Sequence, residues 1–119
     1  MHLDNDLIAY EMSCCKRHGR YLSLISIDCK KEDIELKLRD CDPIISDDQD
    51  DSVTIILSET DKSGAIVLIE RIALEKHFKA AVVTFPFDGF TPHELVTSLE
   101  RRLQKARMMS IEGAVITNG

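Results

Sequence analysis

Residues 43–57 read Pro43-Ile-Ile-Ser-Asp-Asp-Gln-Asp-Asp-Ser-Val-Thr-Ile-Ile-Leu57, and they set the plan of the domain. Two runs rich in β-branched residues, Pro43–Ile45 and Val53–Leu57, flank a polar segment, 46–52, that contains no apolar residue. β-branched residues favour strands, and a polar connection between two such runs is typical of an antiparallel pair. The stretch therefore predicts a β-hairpin with an acidic tip.

Helix and strand patterns continue on both sides of this hairpin. Upstream they predict a helix over Asp4–His18, a buried strand over Tyr21–Ile27 and a short helix over Lys31–Arg39. Downstream they predict a helix over Lys62–His77, a strand over Ala80–Phe85, a helix from Thr91 to about Met108 and a short strand over Gly113–Thr117. This order contains the β-α-β-β-α-β plan of ferredoxin-like folds, in which helices cover one face of the sheet. We therefore predict an α+β fold with a central, mostly antiparallel sheet of about five strands.

Length and charge bound the class of protein. The 119 residues fit a single domain, 1–119, whose first 19 residues form an N-terminal helix. A formal net charge of −6 argues against binding to nucleic-acid phosphates, which requires clustered Lys and Arg. No apolar run approaches the roughly 20 residues of a bilayer helix, and no secretory leader pattern opens the chain. We expect a cytoplasmic protein that uses neither a membrane nor a nucleic acid as a partner.

Three strings in order carry a family resemblance. They are Lys16-Arg-His-Gly-Arg-Tyr-Leu-Ser-Leu-Ile-Ser-Ile-Asp28, Ile55-Ile-Leu-Ser-Glu-Thr-Asp-Lys-Ser-Gly-Ala65 with Glu70-Arg-Ile72, and Val83-Thr-Phe-Pro-Phe-Asp-Gly89 with Leu103-Gln-Lys-Ala-Arg107. Together they resemble the GGDEF domain, the diguanylate cyclase family of bacterial cyclic-di-GMP signalling, over most of the chain. The resemblance implies a GGDEF-like fold and a role in bacterial signal transduction.

The same alignment shows two departures from the family. The family signature falls on residues 49–53, which read Gln-Asp-Asp-Ser-Val, so both of its glycines are replaced. In the family those glycines let the hairpin backbone approach the nucleotide closely, which a Cβ obstructs. Only residues 29–42 separate the first strand from the hairpin, where the family has two helices. The resemblance therefore predicts a degenerate, catalytically inactive domain that is not an enzyme and that acts through a protein partner or self-association.

The resemblance also assigns candidate site residues. Asp28 matches the aspartate that ends the family's first strand, and Asp28 and Asp51 are the candidate metal ligands.

Arg39-x-x-Asp42 is similar to the family's product-inhibition motif, so Arg39 and Asp42 are the candidate contacts to cyclic-di-GMP. An Arg fork can stack on guanine or bond its edge, while a carboxylate accepts from guanine N–H groups. The alternatives are a surface ion pair at Arg39 and Asp42, and a residual metal-dependent nucleotide enzyme that uses Asp28 and the acidic tip. No cofactor is expected.

Three further features have two interpretations each. The acidic tip, which includes Asp48 and Asp50, is either a cation site or a solvated turn. The turn that carries Phe85, Phe87 and Phe90 is either an exposed apolar patch or a cluster of rings packed on the adjacent helix. The first helix packs on the sheet or pairs with another chain.

Overall fold

The computed structural model describes residues 5–30, 52–72, 78–111 and 113–117 together with the backbone of 44–47. The helices in these ranges are α1 (Asn5–Arg17), α2 (Lys62–Ile72) and α3 (Pro92–Met108). The strands are β1 (Leu22–Ile27), β2 (Ile44–Asp47), β3 (Val53–Ser58), β4 (Ala80–Phe85) and β5 (Val115–Ile116). The helix predicted over Lys31–Arg39 and the last turn of the helix predicted to reach His77 lie outside the described residues.

The five strands form one mixed sheet in the order β2-β3-β1-β4-β5. β1 lies in the centre and pairs antiparallel with both β3 and β4, and the short β5 runs parallel to β4. The predicted α+β class and the mostly antiparallel sheet of about five strands are confirmed. None of the helices within the described ranges is both long enough and apolar enough to cross a bilayer.

The predicted hairpin is present in the backbone. β2 and β3 are antiparallel, with Ile44 opposite Ile56 and Asp47 opposite Val53. The chain therefore leaves β2 and enters β3 at the same end of the sheet. β1 ends there too, because Ile27 pairs with Val53.

The two faces of the sheet carry separate apolar cores. One core joins alternate strand residues to α2; its main members are Ile25, Ile27, Ile55, Val82, Ala65, Ile69 and Ile72. The other joins the intervening strand residues to α1 and α3; its main members are Leu22, Leu24, Ile56, Val83, Ile8, Leu95, Leu99 and Leu103. Successive strand side chains point to opposite faces, so these two sets lie on opposite sides of the sheet. The expectation that helices cover one face is wrong, since the sheet of this chain is apolar on both faces and each must be covered.

The first helix packs on the sheet. Ile8, Met12 and Cys15 lie one turn apart and are buried against the core that α3 shares. These side chains form a single stripe, because residues three and four apart share a helix face. Among the described residues of α1, the stripe that could have paired with another chain is therefore used inside the domain.

α1 ends in a glycine-dependent cap. Gly19 has a φ of +62°, a left-handed conformation that glycine adopts without the strain a Cβ adds. Its N–H donates to the Lys16 carbonyl at 3.3 Å, and the Arg20 N–H donates to the Cys15 carbonyl at 2.7 Å. This pair of bonds is the Schellman motif, which fixes the direction in which the chain leaves the helix. β1 then starts at Leu22, two residues after Arg20, the last residue of this motif.

α3 begins at Pro92, as predicted, with Thr91 as the N-cap. The Thr91 side chain accepts a hydrogen bond from the Glu94 N–H, and Pro92 occupies the first turn, where no backbone N–H partner is needed. Gly89 lies shortly before α3 in the sequence and packs closely against its first turn. A Cβ at Gly89 would come within 2.9 Å of the Glu94 Cβ and 3.2 Å of the Leu95 nitrogen. A glycine is therefore required for the turn to pack against the helix.

A buried ion pair ties this turn to α3 and β4. Arg102 is 6% exposed, and it donates to the Val82 carbonyl at 2.7 Å and to the Asp88 Oδ1 at 2.8 Å. The other carboxylate oxygen of Asp88 accepts from the Thr84 N–H at 2.8 Å. Burial alone would raise the pKa of Asp88, but the hydrogen bonds from Arg102 and Thr84 and the nearby positive charges more than offset it, so that this pKa is lowered.

We predict that Asp88→Asn lowers the free energy of unfolding at pH 7 by about 2–4 kcal/mol, because it leaves the buried Arg102 charge without a carboxylate. A lowered pKa in the folded state stabilises the fold above the unfolded pKa of about 3.9, and that contribution is lost as pH falls through the folded pKa. Urea unfolding measured from pH 7 to pH 2 should therefore show the difference between wild type and variant shrinking at the acid end. Glu70→Gln, on the exposed face of α2, is the matched control. A difference that stays constant with pH would contradict this role for Asp88.

Candidate functional site

Asp28 directly follows β1, at the end of the sheet where the hairpin connection lies. Its N–H donates to the Lys79 carbonyl at 2.8 Å, which fixes its backbone beside the start of β4. The preceding residue, Ile27, pairs with Val53 on one side and Ala80 on the other. The strand topology therefore places Asp28 near the point where the chain enters β3, as the sequence interpretation requires for a shared site.

The Asp28 carboxylate is paired with a cation from α3. The Arg107 Nε donates to the Asp28 Oδ1 at 3.1 Å, and the Arg107 Nη2 lies 3.1 Å from the same oxygen. The two side chains are partly exposed, Arg107 at 24% and Asp28 at 37%. Both contacts use one carboxylate oxygen, whereas a two-oxygen fork is the stronger arrangement.

The end of α3 is held at the same place by a lysine. The Lys79 Nζ donates to the Arg107 carbonyl at 3.1 Å and also to the Met109 carbonyl. A cation on the last carbonyls of a helix satisfies acceptors that lack partners within the helix. Lys79 therefore positions the last turn of α3, from which Arg107 reaches Asp28.

The described residues at this end do not by themselves make a metal site. No group of three His, Cys, Asp or Glu side chains suited to a metal ion occurs in the described part of the chain. Mg²⁺ is ordinarily held by carboxylates and water, and an oxygen of Asp28 is already engaged by Arg107. A metal at Asp28 would have to compete with that guanidinium.

The other predicted site residues lie outside the described residues. Arg39, Asp42 and Asp51 belong to this group, and so do Asp48 and Asp50 of the acidic tip. The assignments of cyclic-di-GMP contacts to Arg39 and Asp42, and of a metal to Asp51, therefore stay predictions. Ser52 is the last residue before β3 and is fully buried.

The opposite end of the sheet, where β1 begins and β4 ends, carries exposed rings. Phe85 is 6% exposed, whereas Phe87 and Phe90 are 74% and 73% exposed. Both interpretations of this turn are thus partly right, because Phe85 packs inward and the other two rings face solvent. Tyr21 stacks on Phe87, with ring centroids 5.5 Å apart.

Comparison with known proteins bears on the fold. No protein-family model matches the sequence, and no curated protein matches it either. Solved structures do match. The GGDEF domain of YfiN (TpbB) from Pseudomonas aeruginosa aligns with 97% of this chain and 92% of its own at 11% identity, with a TM-score of 0.79. The active GGEEF domain of a diguanylate cyclase from Vibrio cholerae aligns with 95% of this chain and 92% of its own at 15% identity, with a TM-score of 0.72. This chain has a GGDEF-like fold.

A third GGDEF-like structure concerns a ligand. It is a microbial GGDEF domain described in a novel mode of interaction with cyclic-di-GMP, and it aligns with 95% of this chain and 86% of its own at 12% identity, with a TM-score of 0.76. The resemblance stated from the sequence is therefore confirmed at the level of the fold. At these identities the likeness concerns the path of the chain and not the chemistry of the site.

The expectation that the chain is not an enzyme is overturned by these comparisons. It rests on two replaced glycines and on a short segment between β1 and β2. A GGEEF domain described as active nevertheless shares the fold over 95% of this chain. The shorter segment has left the strand order and the hairpin intact, so it does not carry a conclusion about catalysis.

Sequence reasoning missed the partners of the charged residues at both ends of the GGDEF-like sheet. Arg107 and Asp28 are separated by most of the chain, and Arg102 and Asp88 by a turn and half a helix. Neither pair has a local spacing that identifies it. One signal was available in the sequence. Arg102 lies between Leu99 and Leu103, at a position that belongs to the apolar stripe of α3, and an Arg there indicates a buried partner.

We predict that the Asp28–Arg107 contact contributes about 0.5–1 kcal/mol, because both side chains are partly exposed to solvent. A double-mutant cycle with Asp28→Ala, Arg107→Ala and the double variant, followed by urea unfolding, measures this coupling. The cycle should be run with and without millimolar Mg²⁺. A coupling of zero, together with a Mg²⁺-induced rise in Tm that Asp28→Ala abolishes, would instead make Asp28 a metal ligand.

Proposed function

We propose that this GGDEF-like chain is a regulatory signalling domain that binds cyclic-di-GMP through Arg39 and Asp42. The observation that supports the proposal most is the place of the motif in the sequence, directly before a strand of the hairpin. Arg39-x-x-Asp42 ends two residues before β2, the first strand of the hairpin that the GGDEF-like fold retains. The domain of similar fold that interacts with cyclic-di-GMP adds support for this class of ligand.

The chemistry of the two side chains suits this ligand. A guanine edge offers adjacent N–H donors to a carboxylate, and its ring face and oxygen, or a phosphate, accept an Arg fork. Pro43 follows Asp42 in the sequence, and a proline disfavours helical backbone in the residue before it, so we expect Asp42 to have fewer conformations to lose on binding. The role of the ligand would be regulatory: binding next to β2 alters the edge of the sheet, and a protein partner or a second copy reads the change.

Calorimetric titration with cyclic-di-GMP tests the proposal. Wild type should bind, and Arg39→Ala should weaken binding at least about tenfold, because a hydrogen bond from a charged donor contributes about 1.5–3 kcal/mol. Asp42→Asn should weaken binding in the same direction. Lys105→Ala removes an exposed cation from α3 and is the control, for which binding should stay unchanged.

Absence of binding at high micromolar ligand would refute the proposal. Binding that Arg39→Ala and Asp42→Asn leave unchanged would refute the assignment of these two residues. A sizing column run with and without ligand follows self-association separately, so that a change of oligomer is not mistaken for a change of affinity.

A further inference from the structure

A groove lies between the end of α1 and the turn that follows β4. Its larger cavity, of about 330 Å³, is lined by Lys16, Arg20, Tyr21, Phe85, Pro86 and Phe90 among others. An adjoining cavity of about 220 Å³ extends it along α1 and shares Lys16, Phe85 and Phe90. The larger cavity lies within the range of volumes typical of small-molecule sites.

The walls of the groove are held in place by contacts already described. The cap at Gly19 fixes Arg20 relative to Lys16 at the end of α1. On the opposite wall, Asp88 is bonded to both Arg102 and Thr84, so the turn that carries Phe87 and Phe90 is tied to the core. The groove therefore exists before any ligand binds, and a ligand need not order it.

The apolar lining is unusual for a surface. Phe90 is 73% exposed and Tyr21 is 41% exposed, and Phe87 extends the patch through its stack on Tyr21. Large apolar side chains grouped around a cavity and edged by polar residues are a feature of binding sites, whereas single exposed apolar residues are ordinary. Rings on two walls suit a flat, apolar body lying between them.

The charge at the groove is opposite to that of the chain. Lys16 and Arg20 line the larger cavity, and no described acidic residue does. The chain as a whole carries a formal net charge of −6. Arg20 has an ion pair with Glu59, but it is 3.9 Å long and both side chains are more than half exposed. A pair of this kind contributes little and can be replaced by a bound anion at small cost.

We propose that this groove is a second binding site, which takes a small aromatic anion. The flat apolar part of the ligand lies against Phe90, Tyr21 and Pro86, and its carboxylate, phosphate or sulfonate group is held by Arg20 and Lys16. The site is at the start of β1, whereas Asp28 follows its end. Six strand residues separate them, which corresponds to about 20 Å. The proposal does not depend on cyclic-di-GMP binding at Arg39 and Asp42.

Anilinonaphthalene sulfonate and its uncharged parent, phenylnaphthylamine, are suitable probes because they share the aromatic body and differ in the anionic group. Fluorescence titration of the folded wild type should give saturable binding at one site, with the sulfonate bound at least about fivefold more tightly than the neutral compound. Arg20→Ala should remove this preference, and Arg20→Glu should reverse it. Phe90→Ala should weaken both probes about tenfold, the loss expected from one buried ring edge.

Two matched controls show whether the effects belong to the groove. Lys105→Ala removes an exposed cation on α3, and Met108→Ala removes an apolar side chain that is 79% exposed. Neither variant should change either affinity by more than about twofold. Arg39→Ala should also bind the sulfonate normally, so that failure of the proposed function and failure of this inference are distinguished.

Three results would overturn the inference. The first is equal affinity for the charged and the neutral probe in wild type. The second is a Phe90→Ala variant that binds both probes as wild type does. The third is an equal loss in Met108→Ala, which would indicate binding to any exposed apolar residue. Amide chemical shifts measured with the sulfonate should change at residues 16–21 and 85–90. Changes spread evenly over the chain would also indicate non-specific binding and would overturn the inference.

Discussion

The burial of β1 on both faces is the constraint on which the rest of the structure depends. All six residues of this strand are buried, and it has a paired strand on each side. Its odd-numbered apolar residues, Ile25 and Ile27, belong to one core, and its even-numbered apolar residues, Leu22 and Leu24, belong to the other. A strand in this position has no solvent-exposed face, so each side chain must fit a space closed by a helix layer.

This constraint also separates the chemistry of the domain into two ends. Charged or aromatic side chains that must face solvent can lie before Leu22 and after Ile27, but not between them. At one end Asp28 meets Arg107 beside the hairpin connection. At the other, Tyr21 and the turn after β4 form an apolar surface with Lys16 and Arg20 at its edge. The Asp28–Arg107 pair and this apolar surface therefore lie at opposite ends of the sheet.

Local signals predicted much of the fold. β4 begins at Ala80 and ends at Phe85, where Pro86 stops it, and α3 begins after Thr91, whose side chain accepts from the helix. These boundaries depend on proline and capping chemistry, which act within a few residues. The placement of helices on both faces was not predictable in this way. The apolar sequence of a strand does not say which helix covers which of its two faces. That depends on contacts between residues that are far apart in the chain.

The candidate site was less accessible to sequence reasoning. The pairing of Asp28 with Arg107, and of Asp88 with Arg102, depends on the packing of α3 across the sheet, which no local pattern encodes. Phe85 faces inward because it continues the alternation of β4, on the same face as Ala81 and Val83. Phe87 and Phe90 lie in the turn after the strand and are exposed. The expectation of inactivity was wrong for a different reason. It took the short segment between β1 and β2 as evidence that a site was lost, although the GGDEF-like fold forms with this shorter segment.

Native-state hydrogen exchange of the β1 amides tests most directly whether this strand joins the two cores into one unit. If it does, Leu24, which faces α1 and α3, and Ile25, which faces α2, should exchange with the same free energy of opening. That value should equal the free energy of global unfolding and should be the highest in the sheet. Opening of one residue at a clearly lower free energy than the other would show that the two cores unfold separately, and would contradict the account.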